Sequence, residues 1–335
     1  MSHFARRDAL KLIGASTLAA AGGVGARAAD APKRMVVIHK LSGIPWINMM
    51  KDGVEAGGKQ FGINATLIGP ANPDPAQQVK MIEDVIAQKV DVLGLVPLDQ
   101  KVCAGPLKRA QEAGIKVLTH EGPSQDGADW NVDLINSTIF GEKQMQLLAK
   151  AMGEKGKYVV YVGTLTTPLH NKWADAAVAY QKANYPNMVL ATDRFPGGDE
   201  VDVSQRTTLD VLKAHPDVTG ILAEGSNGPI GAGNALRQMR MGKKVAIVGT
   251  CVPSQASALL KDGIVRECTL WNPTKAGFAM VAVAKLLLDG TAVKDGIEVP
   301  DLGKATIDAA TRSVQFDQIL EITSSNVDSL VAQGL

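Results

Sequence analysis

From residue 35 onward, short apolar runs alternate with stretches in which apolar side chains recur every three or four positions. The runs are rich in Val, Ile and Leu and apolar on both faces, which predicts the buried strands of a parallel sheet. The periodic stretches predict the helices that cross back between them. A first series holds strands over 35–39, 63–68, 90–96 and 115–119, with helices over 46–61, 75–88 and 101–113. A strand over 130–135 leads out of it. A second series holds helices over 142–152, 172–184, 202–215, 229–240 and 254–262. Its strands fall over 158–162, 188–194, 218–223, 244–248 and 265–271. A helix over 274–288, a Gly- and Asp-rich irregular tail over 289–317 and a last helix over 326–333 complete the chain. Two such series in 335 residues predict an α/β protein of two doubly wound parallel-sheet lobes, each of roughly 130–150 residues.

Ligands of open α/β sheets sit beyond the carboxyl ends of the strands. Those ends carry a particular inventory here. His39 and Lys40 follow the first strand, with Trp46 close behind. Asp99 follows the third strand, and His120 and Glu121 the fourth. In the second series, His170, Asn171 and Trp173 follow the strand over 158–162, and Glu224 and Asn227 the strand over 218–223. Trp271 and Asn272 follow the last. Aromatic rings stack on the C–H faces of a sugar, and carboxylates and amides hydrogen-bond its hydroxyls. The expected ligand-binding set is Lys40, Trp46, Asp99, Glu121, His170, Asn171, Asn227, Trp271 and Asn272. Seven of the nine have a structural alternative. Asp99, Glu121 and Asn227 also suit caps, Trp46 and Trp271 suit packing, and Lys40 and His170 suit ordinary surface or core positions. Trp130 and Trp173 are expected to be packing residues.

Composition narrows the function classes. Apolar residues make up 45% and charged residues 21%, an ordinary globular balance. Lys and Arg total 35 against 34 Asp and Glu, so no basic excess points to nucleic acid. No apolar run long enough to span a bilayer occurs in the body of the chain. No G-x-S-x-G, H-E-x-x-H or phosphate-binding glycine loop is present, and no metal or cofactor is called for. A sugar-modifying enzyme would need a matched acid and base, which Asp99, Glu121 and Glu224 could formally supply. The three cysteines are too few for a disulfide scaffold; Cys251 and Cys268 lie near successive strands, where a bridge is open, and Cys103 suits buried packing.

The amino terminus reads as an address. The Arg6-Arg7 pair, an Ala- and Gly-rich stretch over 12–26 and the Ala26-Arg27-Ala28 end predict a signal peptide over 1–28. The paired arginines match a twin-arginine export signal, with a general secretory signal as the alternative. The mature chain would begin near Ala29 in a periplasm-like space.

The chain also resembles the periplasmic solute-binding proteins of sugar ABC importers, of the ribose-binding type, in the branch of the rhamnose-binding and autoinducer-2-binding proteins. The segments that carry the resemblance are His39-Lys-Leu-Ser-Gly43, the run over 110–121 ending in Thr119-His-Glu121, Val245-Ala-Ile-Val-Gly249, Lys261-Asp-Gly263 and the run over 265–272. The resemblance implies two lobes joined by three crossings, near 133–137, 271–273 and within 311–318. The first lobe would hold 33–134 plus 273–312, and the second 135–272 plus 313–335. It implies a monomer that closes on a ligand and delivers it to an inner-membrane permease. In the autoinducer-2 branch, Lys40 matches a ligand-contacting Lys, and Glu121 stands where that branch has Asp. An Asp-Gln pair of the branch falls on Leu169-His170, which removes a carboxylate and an amide. The resemblance therefore implies a monosaccharide, deoxysugar or small polyol as ligand. Autoinducer-2 uptake and a sensor subunit remain as alternatives.

Overall fold

The computed structural model describes residues 32–335. The expected signal peptide lies outside the described residues. The chain opens with strand β1 (Lys33–Ile38), helix α1 (Pro45–Phe61), β2 (Ile63–Ile68), α2 (Pro75–Ala87), β3 (Val92–Leu95), α3 (Gln100–Glu112), β4 (Lys116–Thr119) and β5 (Trp130–Asp133). Next come α4 (Ser137–Met152), β6 (Gly156–Tyr161), α5 (Pro168–Asn184), β7 (Met188–Leu190), α6 (Val201–Ala214), β8 (Val218–Ala223), α7 (Gly228–Met239), β9 (Ala246–Thr250), α8 (Pro253–Lys261) and β10 (Val265–Leu270). Helix α9 (Pro273–Leu288) precedes β11 (Glu298–Val299), β12 (Gly303–Lys304), β13 (Thr306–Asp308), β14 (Ser313–Gln315), β15 (Leu320–Ile322) and α10 (Val327–Ala332).

The strands form two main sheets. The first runs β13-β14-β5-β4-β3-β1-β2 and the second β15-β10-β9-β8-β6-β7. All neighbours are parallel except the edge strands β13 and β15. Both sheets share one logic: the first strand of each series lies between the second and the third. The chain therefore reverses its winding direction between β1 and β3 and between β6 and β8, and a crevice opens at each reversal. Strands β1, β3, β6 and β8 end in fully buried apolar residues, so the polar residues just beyond them are held by a rigid core.

The chain passes between the sheets three times, at 134–136, 271–272 and 316–319. Helix α4 packs on β8, β9 and β10, whereas α9 returns to pack on α1, β4 and β5. The α1–α9 contact is backbone-close. A Cβ on Gly53 would collide with the Thr274 carbonyl, and one on Gly277 with the Met50 carbonyl. This packing fixes Trp46 at the start of α1 against the crossing that carries Trp271 and Asn272.

Three details differ from the sequence expectations. Helix α4 starts at Ser137, not residue 142, because the Asn136 side chain accepts from the amides of Thr138 and Ile139 and caps it earlier. The tail is not irregular: β13 and β14 form a hairpin, and β14 adds to β5. Ser313–Gln315 thus belongs to the first sheet, a little beyond the division at 312/313. Cys251 and Cys268 are bridged with Cα atoms 5.9 Å apart, tying the end of β9 to β10, while Cys103 is buried and free. Among the described residues no helix is long and apolar enough to cross a membrane.

Candidate functional site

The two winding reversals face each other, and the residues beyond their strands meet in one cavity. The space between them, including its open side, is about 290 Å³. The first lobe contributes His39 and Lys40 after β1, Ile44 and Trp46 at α1, and Glu121 after β4. The second contributes His170 and Trp173 from α5, Asp199 before α6, Glu224 and Ser226 after β8, and Thr250 at the end of β9. Trp271, on a crossing, completes the wall.

One end of the cavity is ionic. The Lys40 ammonium lies 3.1 Å from Glu121 Oε2 in its own lobe and 3.7 Å from Asp199 Oδ2 in the other. Burial works against the charge of Lys40, but Asp199 and then Glu121 outweigh it and hold its pKa above the ordinary value. Burial likewise opposes ionisation of Glu121, yet the Lys40 ammonium and the neighbouring imidazoles bring its pKa down to about 2. Glu121 also has φ of +57°, in the left-handed region that costs a non-glycine residue energy. Its N–H donates to Asp133 Oδ1 at 2.9 Å, which helps hold that conformation.

His170 adds an unresolved contact. Its Nδ1 accepts from the Gly163 N–H at 3.0 Å, so the ring proton sits on Nε2. Nε2 lies 3.1 Å from Lys40 Nζ. Burial, and then the Lys40 charge, lower the His170 pKa to about 4, so the ring is neutral near pH 7. Two donors therefore face each other across the lobes with no acceptor between them. Burial and Lys40 also hold His39 neutral, well below the usual imidazole range. Gly163 makes room for this geometry, since a Cβ there would strike the Asp199 carboxylate and crowd His170 Nδ1.

The other walls are aromatic. Trp46 and Trp271 meet edge to face with ring centres 5.8 Å apart, and Trp271 and Trp173 do so at 5.3 Å. His170 stacks on Trp173 at 5.2 Å, and Trp46 stacks on His120 at 6.1 Å. The indole nitrogens of Trp173 and Trp271 are buried without an acceptor, and both Glu224 oxygens are buried without a donor. The cavity thus offers indole and Lys40 donors, carboxylate acceptors and flat apolar faces within one small volume. A compact polyhydroxylated ligand satisfies all three. Among the described residues no group of three or more His, Cys, Asp or Glu is placed to hold a metal ion.

Of the residues singled out in the sequence, Lys40, Trp46, Glu121, His170 and Trp271 share this cavity. The other four do not line it, and most of their side-chain hydrogen bonds go to backbone. Asp99 caps α3 by accepting from the amides of Lys101 and Val102. Asn272 caps α9 by accepting from the Lys275 N–H at 3.2 Å. Asn171 donates to the carbonyls of Thr164, Leu165 and Thr167 and accepts from Arg194. Asn227 donates to the Asp199 carbonyl at 2.9 Å, bracing the loop that carries that carboxylate. Trp173, expected as packing, lines the cavity, whereas Trp130 is half-buried in β5 away from it. Asp199, Glu224, Ser226 and Thr250 were outside the expected set. The strand-end rule reaches Glu224 and Thr250. Asp199 follows the Gly197-Gly198 pair, beyond the short pairing of Phe195 with β6, and only the folded loop brings it to Lys40.

A model of the periplasmic binding protein domain matches residues 35–292. The chain belongs to this family. The ribose import binding protein of Salmonella typhimurium is 26% identical over 283 residues, covering 83% of this chain and 92% of that protein. A solute-binding protein of an ABC transporter from Clostridium phytofermentas, solved with bound L-rhamnose, superposes with a TM-score of 0.84 at 22% identity, over 90% of this chain and 99% of that one. LsrB from Clostridium saccharobutylicum, solved in complex with AI-2, superposes with a TM-score of 0.82 at 22% identity, over 88% of this chain and 99% of that one. These likenesses place the periplasmic binding protein fold, with its two α/β lobes, beside the site geometry described above.

Proposed function

We propose that this chain is the periplasmic substrate-binding component of an ABC importer, and that it captures a monosaccharide, deoxysugar or small polyol between its lobes. The observation that carries the reading is the facing pair of donors, Lys40 Nζ and His170 Nε2, 3.1 Å apart and from opposite lobes. A ligand oxygen between them accepts from both, while the ligand's hydroxyl protons go to Glu121, Asp199 and Glu224. The ligand thereby favours the closed arrangement through contacts that only the closed arrangement makes. The segments 134–136, 271–272 and 316–319 serve as the hinge. The moving bodies follow the division at 33–134 plus 273–312 and 135–272 plus 313–335, with β14 reassigned to the first. Closure needs no covalent chemistry, cofactor or metal. The closed rims present the face that an inner-membrane permease reads, and the chain works as a monomer. Export follows the twin-arginine route directed by Arg6 and Arg7.

A thermal-shift screen of the chain from Ala29 onward tests this. Pentoses, hexoses, deoxyhexoses and tetritols to hexitols form the panel. A ligand at about 1,000 times its Kd adds roughly 4 kcal/mol, a shift of several degrees. Silence across a well-folded sample refutes the carbohydrate reading. A second reading, autoinducer-2 capture, is favoured by the Lys40–Glu121 pair, which stands where that branch has its Lys and Asp. A shift with autoinducer-2 alone selects it.

A further inference from the structure

Glu224 is the one carboxyl group of the cavity that faces no cation within salt-bridge distance. It lies beyond β8, at the winding reversal of the second sheet, and is completely buried. Neither carboxyl oxygen has a hydrogen-bond donor. Gln144 is the nearby side chain that favours its charged form, against burial. The Gln144 amide spends both protons, on Thr250 Oγ1 at 3.1 Å and Thr269 Oγ1 at 2.9 Å. Its Oε1 is left buried without a donor. The Glu224 carboxyl lines the same cavity as Trp173 and Trp271. A proton on Glu224 removes the uncompensated buried charge. The remaining carbonyl oxygen is free to accept from a ligand hydroxyl.

We propose that Glu224 is a ligand-contacting residue that works as a neutral carboxylic acid, so that closure of the lobes on a sugar or polyol takes up one proton. The inference rests on the sugar- or polyol-binding reading above. In an open cleft Glu224 faces water and ionises as an ordinary glutamate. Closing the Trp walls over it removes that water, and burial then raises its pKa to about 8. The other charged groups around it are already paired or neutral. Lys40 pairs with Glu121 and Asp199 and brings the Glu121 pKa down to about 2, and burial keeps His39 and His170 neutral. Gln144 and then Arg194, beyond β7, work against the proton without outweighing burial. The consequence is selectivity as well as linkage. A neutral acid in an aromatic corner rewards an uncharged hydroxyl, whereas a ligand ammonium there would keep Glu224 ionised.

Calorimetric titration of the chain from Ala29 onward with xylitol, D-ribose and L-rhamnose tests this at pH 7, in phosphate and in Tris. The two buffers differ in ionisation heat, so the difference in apparent enthalpy counts protons. The expected result is uptake of about half to one proton per ligand bound, with affinity falling by up to about tenfold per pH unit between roughly pH 5 and 8. Glu224→Gln, which keeps an N–H where the acid has its O–H, is expected to exchange no protons and to bind with a pH-independent Kd. Zero exchange or proton release in the wild type overturns the proposal, and so does equal uptake in the Gln variant. If none of the three probes binds, the titration is repeated with the ligand of the thermal-shift panel that stabilises the chain. Silence across that whole panel overturns the carbohydrate reading and this proposal with it.

Discussion

Replacing Lys40 by Met removes the ammonium and keeps most of the side-chain volume, which isolates its electrostatic role. Glu121 and Asp199 then lie in the closed cavity with no cation between them, at 4% and 5% exposure. Glu121 falls from a usual 4.5 to about 2 in the folded protein, largely against burial and because of Lys40. A shift of that size corresponds to roughly 3 kcal/mol, and removal of one partner from a buried pair costs about 3–5 kcal/mol by independent measure. Because the folded pKa is depressed, the contribution is fully present above about pH 4.5 and is lost as pH falls toward 2. In the variant the sign reverses. Burial then outweighs the weaker pull of the neighbouring imidazoles on Glu121, its pKa rises above the usual value, and stability improves as pH falls from 7 toward 5. At about 2–4 °C per kcal/mol for domains of this size, Lys40→Met is expected to melt roughly 6–12 °C below wild type at pH 7. The gap should narrow at pH 5. Differential scanning calorimetry at both values measures it. A loss below about 1 °C, or a gap that widens toward pH 5, would refute the account of Lys40 as the cation that makes the closed cavity tolerable.

Three further outcomes follow from other residues. Gly163→Ala drives a methyl into the Asp199 carboxylate and against His170, so it should weaken ligand binding at least tenfold in calorimetric titration while far-UV circular dichroism stays unchanged. Asn272→Ala removes the α9 cap and should cost about 1 kcal/mol of stability, read as a Tm lower by roughly 2–4 °C, with Kd within about threefold of wild type. Reduction of the Cys251–Cys268 bridge, which closes a loop of sequence separation 17, should cost about 2–4 kcal/mol and lower the Tm, an effect that the double Ser variant reproduces without reductant.

The order of strands and helices was legible because buried parallel strands are continuous apolar runs and their helices are periodic. What escaped was structure that carries neither signal. The hairpin of β13 and β14 is built from strands of three residues each, too short to display a period. Helix α4 begins at an asparagine cap ahead of its apolar stripe. At the site, position along the chain was readable and side-chain direction was not. Asp99 and Asn272 stand just beyond strands, as ligand groups do, but each also immediately precedes a helix. There a short Asp or Asn side chain folds back onto free amides, because the helix start leaves those donors unsatisfied. Lys40 is too long to cap and reaches across the cleft to Asp199, whereas Glu121, held at positive φ, pairs with Lys40 within its own lobe. Asp199 was invisible for the opposite reason: its loop has no strand-end signature and is placed by tertiary contacts with Asn227 and Gly163.

The polar groups left without partners specify the ligand from the protein's side. Folded interiors satisfy nearly all buried polar atoms, so a cluster of exceptions at one place marks a surface built for something else. Here the exceptions include two indole donors and the Glu224 acceptors, and they line one cavity with the facing Lys40–His170 donors at the meeting point of two sheets. Each would cost energy if the closed arrangement formed alone, and each is satisfied by a hydroxyl or ring oxygen. The unmet bonds therefore oppose closure without ligand and reward closure with it, and this difference couples binding to the hinge. An apolar cavity of the same shape would close as readily when vacant and could not report occupancy to a partner.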